Sequence, residues 1–162
     1  MAHIHEEIDF TVAVFIVYDN KVLLVMHKKQ QKWLPIGGHI ELNEDPDEAL
    51  AHEIAEECGL EVEMLTTKPE VPGNHRKSLF TPNYLDIHEV NEVNNLDHQH
   101  RHVGLTYFAK AKSNEAKLAP EEHDDIRWFS EEDLENPELH IQEDIKFYAR
   151  EALRQAQDNQ LK

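Results

Sequence analysis

The stretch "GGHIELNEDPDEALAHEIAEECGL", residues 37–60, holds eight carboxylates and neither Lys nor Arg. It also has the punctuation of a helix. Asp45 or Asn43 can cap the start, Pro46 suits the first turn, and Gly59 closes the end. On the helix so defined, 46–58, Leu50, Ala51, Ile54, Ala55 and Cys58 share one side, which must pack on a core. Glu53, Glu56 and Glu57 stand at i, i+3 and i+4, so their carboxylates project from an adjoining stripe. Each like-charge pair at that spacing costs about a few tenths of a kcal/mol on a bare helix, and more when buried. Hard oxygen donors gathered this way fit Mg²⁺, with Mn²⁺ as a substitute, because either ion removes the repulsion. The bland alternative is an acidic, solvent-facing stripe. Glu41 and Glu44 precede the helix closely enough to fold back on it.

Around this helix the pattern alternates. "DFTVAVFIVYD" (9–19) reads as a buried strand, and "KVLLVMHK" returns from the Asp19-Asn20 turn as its hairpin partner. "KWLPIGGHIEL" reads as loop and short strand, "LEVEML" (60–65) as a strand, and 66–83 as a long loop. "YLDIHEV" and "RHVGLTYFAKA" read as facing strands, and "IRWF" (126–129) as a short one. Ser130 caps a short helix over "SEEDL". A closing amphipathic helix over 141–157 has Ile141, Ile145, Phe147, Tyr148, Ala152 and Leu153 on its apolar side. Strands before, between and after helices give an α/β class, a mixed sandwich.

The 162 residues suit a single domain, 1–162, able to bury roughly 70% of its unfolded surface without disulfides. One cysteine, Cys58, excludes an internal disulfide; on the inward helix side it reads as a small buried hydrophobe. The start "MAHIHEEIDF" lacks the features of a signal peptide, and the longest apolar run, 10–18, is too short to cross a bilayer. A cytoplasmic protein is expected. With 33 acidic against 16 basic residues, the net charge of −17 repels nucleic-acid polymers and anionic membranes and attracts divalent cations.

Residues 38–60 resemble the Nudix box of the Nudix hydrolases, which runs from a glycine through a glutamate to Arg-Glu-apolar-any-Glu-Glu-any-Gly-apolar. Gly38, Glu44, Glu53, Ile54, Glu56, Glu57, Gly59 and Leu60 fill it, and His52 stands where the motif has Arg. The family's frequent Pro before Gly-Gly is Ile36, with Pro35 one place earlier, and Trp33 occupies a position where Trp is common. The resemblance implies a Nudix-type α/β/α sandwich with a mixed sheet. It also implies Mg²⁺-dependent hydrolysis of a phosphoanhydride in a nucleoside diphosphate derivative or nucleoside triphosphate, by attack of water on phosphorus. A silent Nudix-fold module that senses nucleotide or metal is the alternative. By the motif, Glu53, Glu56 and Glu57 hold metal, with the Gly37 carbonyl as an extra ligand, and the Gly-Gly turn lets backbone approach the ion. The partner implied is a small pyrophosphate substrate, and homodimers are common among similar proteins.

His52 cannot copy the planar fork of Arg, and it faces Glu48 and Glu56 at i−4 and i+4, so pH sensitivity is expected there. The resemblance implies that Glu53, Glu56 or Glu57, or a residue outside the box, serves as the base, and in the family an outside base often lies before a late Trp-containing strand. "APEEHDDIRWF" supplies Glu121, Glu122, His123 and Asp124 at that place, and Glu122 is the choice among them. Cations for phosphate are scarce: Lys28, Lys29, Lys32, Arg76 and Lys77 flank the site in sequence, and Arg101 sits within the row "DHQHRH". Lys29, Arg101, Gly38 and His52 are the expected substrate contacts. Trp33, Phe80, Tyr84 and Tyr107 could stack on a base, although aromatics are more often core. His98, His100 and His102 alternate, so a strand would put them on one face, with His88 beside them if "YLDIHEV" pairs antiparallel. A neutral strand end is the plain reading of that row; phosphate contact and a second metal site follow in that order.

Overall fold

A computed structural model of the chain describes residues 7–90 and 100–159; His98 lies outside them. Among the described residues, eight strands make one mixed sheet, β1 (Ile8–Tyr18), β2 (Lys21–His27), β3 (Lys32–Leu34), β4 (Ile36–His39), β5 (Val62–Met64), β6 (Tyr84–Val90), β7 (His100–Ala111) and β8 (His123–Phe129). The helices are α1 (Pro46–Glu57), α2 (Glu131–Leu134) and α3 (Glu143–Asp158), with a 3-10 turn at Pro137–Leu139.

β1 is the axis. It runs parallel to β7 from Ile8↔Arg101 to Val17↔Lys110, and antiparallel to β4 from Thr11↔His39 to Val14↔Ile36. The hairpin partner β2 touches it only at Val17↔Val22 and Tyr18↔Lys21, then splays away to pair with β3 and β8. Because strand side chains alternate, Val12, Val14 and Ile16 pack with Leu50 and Ile54 of α1, while Phe15 and Val17 pack with Ile145, Ala149 and Leu153 of α3. One helix on each face of a mixed sheet is an α/β/α sandwich. No helix among the described residues is long and apolar enough to cross a membrane.

Two boundaries and one burial assignment stand out against the sequence expectation. "KWLPIGGHIEL" yields two strands, since pairing with β2 and β1 orders both sides of Pro35. β8 begins at His123, three residues before the apolar "IRWF", because the antiparallel ladder to β2 continues through the polar residues to His27↔His123. Phe147 is not on the buried side of α3. It is 47% exposed and covers Tyr84 and Tyr148 from the edge, while Ala149, Ala152 and Ala156 let the helix lie close to the sheet.

Local chemistry fixes α1 at both ends. Asp45, not Asn43, is the N-cap: its carboxylate accepts from Asp47 N and Glu48 N, and Glu48 returns the bond to Asp45 N. At the other end Gly59 takes the left-handed conformation, φ +62°, and its N–H donates to Ile54 O. Asp45→Ala should therefore lower unfolding free energy by about 1 kcal/mol, and Asp45→Asn by much less. Urea denaturation of the pair checks this, and equal losses in both variants would contradict the cap.

Candidate active site

The eight carboxylates divide by partner. At the start of α1, Lys68 bonds Asp47 at 2.7 Å, Lys77 bonds Asp45 and reaches Glu48 at 3.2 Å, and Phe80 N donates to Asp47. The long loop 66–83 is thus tied to the helix by its own cations. His52 bridges Glu44 (Nδ1 to Oε1, 2.9 Å) and Glu56 (Nε2 to Oε1, 3.0 Å). The expected neighbour Glu48 is engaged by Lys77 instead, because the segment before the helix folds back and presents Glu44. Glu56 and then Glu44, by hydrogen bonds to the ring, raise the His52 pKa above its ordinary value.

Glu53 and Glu57 are different. Both are buried, 7% and 4% exposed, and among the described residues neither has a Lys or Arg at ion-pair distance. They lie against the double glycine of β4. The Gly37 N–H donates to Glu57 Oε2 at 2.9 Å. A Cβ on Gly38 would stand 2.1 Å from Glu53 Oε1, and one on Gly37 would stand 2.2 Å from Val12 O. Any side chain at either position would displace β4 or the acid, which is why both are glycine. Burial, then the neighbouring Glu57 and Glu122 carboxylates, push Glu53 up to about 8.

His123, 1% exposed at the start of β8, approaches Glu57 from the other side, with Nε2 3.2 Å from Oε1. Donor atoms of Glu57, Glu122 and His123 all lie within 4.8 Å of one another. A hydrogen bond from Lys28 N to Glu122 O, with Lys28 Nζ on Pro120 O, locks the turn between β2 and β3 to the loop bearing Glu122. Lys29 therefore rides beside that loop, exposed. Glu56 is 61% exposed in its side chain and turned to His52 rather than to Glu53. Arg101 is exposed on β7, with its backbone N bonded to Glu7 O, opposite Ile8. Trp33 and Tyr107 are buried; Trp33 packs edge-on against Phe129 at 4.8 Å. Cys58 is buried, and burial raises its thiol to about 11.

On the other face of the sheet His88 and His102 are cross-strand partners, and His100 lies two residues along. His102 is flanked by His39, His100 and His88 at ring distances of 4.9, 5.2 and 5.6 Å. Burial first, then those three imidazoles, lowers His102 to about 4. Two members, Asp9 and His39, were not among the residues singled out from the sequence. Only the pairing of β1 with β4 and β7 brings them to the row.

Residues 8–150 match the NUDIX domain family. The chain belongs to that family. The Nudix fold is shared with a hydrolase of the NUDIX family from Clostridium perfringens, 38% identical, covering 90% of this chain and 96% of that one, TM-score 0.72. A MutT NUDIX hydrolase from Burkholderia pseudomallei is 25% identical over 93% and 98% of the two chains, TM-score 0.61. A Lactococcus lactis protein named "Probable DHNTP pyrophosphohydrolase" is 25% identical over 116 residues, 72% of this chain; the match spans 62% of that relative's length. Within this Nudix chain, His123 is the site neighbour that sequence reasoning passed over in favour of Glu122, although the same acidic loop carries both.

A carboxyl with a folded pKa near 8 and an ordinary value of 4.5 holds its proton in the native state while the unfolded chain loses it. Without metal, stability should therefore fall as pH rises from about 4.5 to about 8, then level off. Thermal melts in chelator at several pH values should show this slope in the parent, reduced in Glu53→Gln. Equal slopes in both proteins would exclude Glu53 as its source.

Proposed function

We propose that the chain is a Mg²⁺-dependent Nudix pyrophosphohydrolase, acting in the cytoplasm on a nucleoside triphosphate or a nucleoside diphosphate derivative. One observation carries the reading: Glu53 and Glu57 are buried side by side, among the described residues without a Lys or Arg at ion-pair distance, against a strand edge that only glycine can form. Two such carboxylates in low dielectric call for a divalent cation, and an all-oxygen donor set matches Mg²⁺ or Mn²⁺ better than softer ions. The relative's name, which specifies a pyrophosphohydrolase, supports the reaction class.

In this reading Glu53 and Glu57 would hold the cation, with the Gly37 carbonyl beside them, and Glu56, the third acid of the motif, would join them on leaving the His52 ring. When bound, Mg²⁺ neutralises phosphate oxygens and activates water as the nucleophile. The chain's own groups do the rest. The Gly37 N–H and the His123 imidazole orient Glu57 from two sides. Glu122, within reach of both Glu57 and His123, takes the proton from the attacking water. Gly38 leaves space for Glu53 and for the substrate. Lys29 and Arg101 are exposed and supply positive charge to the polyphosphate. His52 holds Glu56 and Glu44 in place of the motif's Arg, and only its protonated ring can donate to both at once. A small nucleotide, not a nucleic-acid polymer, is the partner, and a homodimer is the expected assembly.

Phosphate release from a mixed nucleotide panel with Mg²⁺ tests the proposal. The parent should turn over at least one compound, and Glu57→Gln should lose about 10- to 100-fold or more. Tight nucleotide binding by a parent without turnover would make the protein a sensor instead. Raising the pH from about 6 to about 9 should deprotonate His52 and lower activity in the parent more than in His52→Arg. Superimposable profiles would remove His52 from the pH response.

A further inference from the structure

Asp9, His100 and His102 cluster on the face that carries α3, with His39 joined to them through Asp9 and the His102 ring. Asp9 is fully buried and His100 is 1% exposed. A single oxygen, Asp9 Oδ2, faces two imidazole nitrogens at once: His39 Nε2 at 3.3 Å and His100 Nε2 at 3.3 Å. Donor atoms of Asp9, His100 and His102 all lie within 4.8 Å of one another, and the His102 ring packs edge-on to those of His39 and His100.

We propose that Asp9, His39, His100 and His102 form a second cation site, selective for a borderline transition ion of the Zn²⁺ class.

The two contacts to Asp9 Oδ2, 3.3 Å each, have the donor–donor spacing of such an ion. Four ligands at about 2.0–2.1 Å around a tetrahedral centre stand about 3.3 Å from each other. A direct carboxylate–imidazolium hydrogen bond is shorter, about 2.7–2.9 Å. Three imidazole nitrogens and one carboxylate oxygen suit Zn²⁺, Co²⁺ or Ni²⁺, whereas Mg²⁺ prefers oxygen and water. The ligands come from three strands, so an ion there would clip the end of β4 to β1 and β7. The site is separate from the acids of α1. Gly38 and His39 are consecutive on β4 and point to opposite faces, Gly38 to Glu53 and His39 to Asp9. The same ion would thus hold in register the strand that shapes the acidic site, from behind.

The proposal does not depend on hydrolase activity. The experiment strips the purified protein with chelator, saturates it with Mg²⁺, and titrates it with Zn²⁺ by calorimetry and Co²⁺ by visible absorption. Expected are one Zn²⁺ per chain, a raised Tm, and the strong visible bands of four-coordinate Co²⁺. His102→Ala and His39→Gln should weaken Zn²⁺ binding about 100-fold or more, while Glu57→Gln should leave it unchanged. His39→Gln keeps a polar side chain at a partly open position and guards against simple unfolding. Absence of Zn²⁺ binding, a weak six-coordinate Co²⁺ spectrum, or binding that is lost in Glu57→Gln but kept in His102→Ala would overturn the site.

Discussion

Two glutamates, one helical turn apart and both buried under the sheet edge, set the terms for the rest of the molecule. Glu53 and Glu57 cannot swing into solvent, because Leu50 and Ile54 on the same helix are anchored against Val12, Val14 and Ile16 of β1. Nor can they retreat, because β4 closes over them with two glycines and a donated N–H. Burial holds the proton on Glu53 far above its ordinary range, a cost that a divalent cation would relieve. Glu44, Asp45, Asp47, Glu48 and Glu56 are relieved locally by Lys68, Lys77 and His52. The charge pattern thus separates acids with a cationic partner of their own from the buried pair, Glu53 and Glu57, that has no Lys or Arg at ion-pair distance among the described residues.

β4 links the chemistry on the two faces. Strand alternation gives Gly38 to the acidic side and His39 to the histidine side, and pairing with β1 sets both. A four-residue strand has little intrinsic stability, so its position depends on what fastens it: the ladder to β1, the Gly37 bond to Glu57, and the contact of His39 with Asp9. Small shifts of this strand would reach both sites together.

The fold class was legible because periodicity and punctuation agree through most of the chain. The capped acidic helix, the 9–19 strand and the antiparallel β6–β7 pair needed only local reasoning. What escaped was set by pairing at a distance. His123 begins a strand because β2 continues beside it, although nothing in "EEHDD" reads as β. Asp9 and His39 join the histidine row through the registers Asp9↔His102 and Thr11↔His39, which no local pattern encodes. Of the two acids expected beside His52, Glu56 is bonded to it and Glu48 is not; the other partner, Glu44, lies in the non-helical segment, where helix geometry offers no guide. Phe147 misled because an apolar residue beside the core stripe can as well cover an edge aromatic as enter the core.

Diffraction from crystals soaked in Mn²⁺, with anomalous data collected at the manganese edge, addresses the central claim most directly. The account predicts a peak bonded to carboxylate oxygens of Glu53 and Glu57, close to the Gly37 carbonyl. Well-ordered crystals with both carboxylates still buried, yet with no peak between α1 and β4, would contradict it.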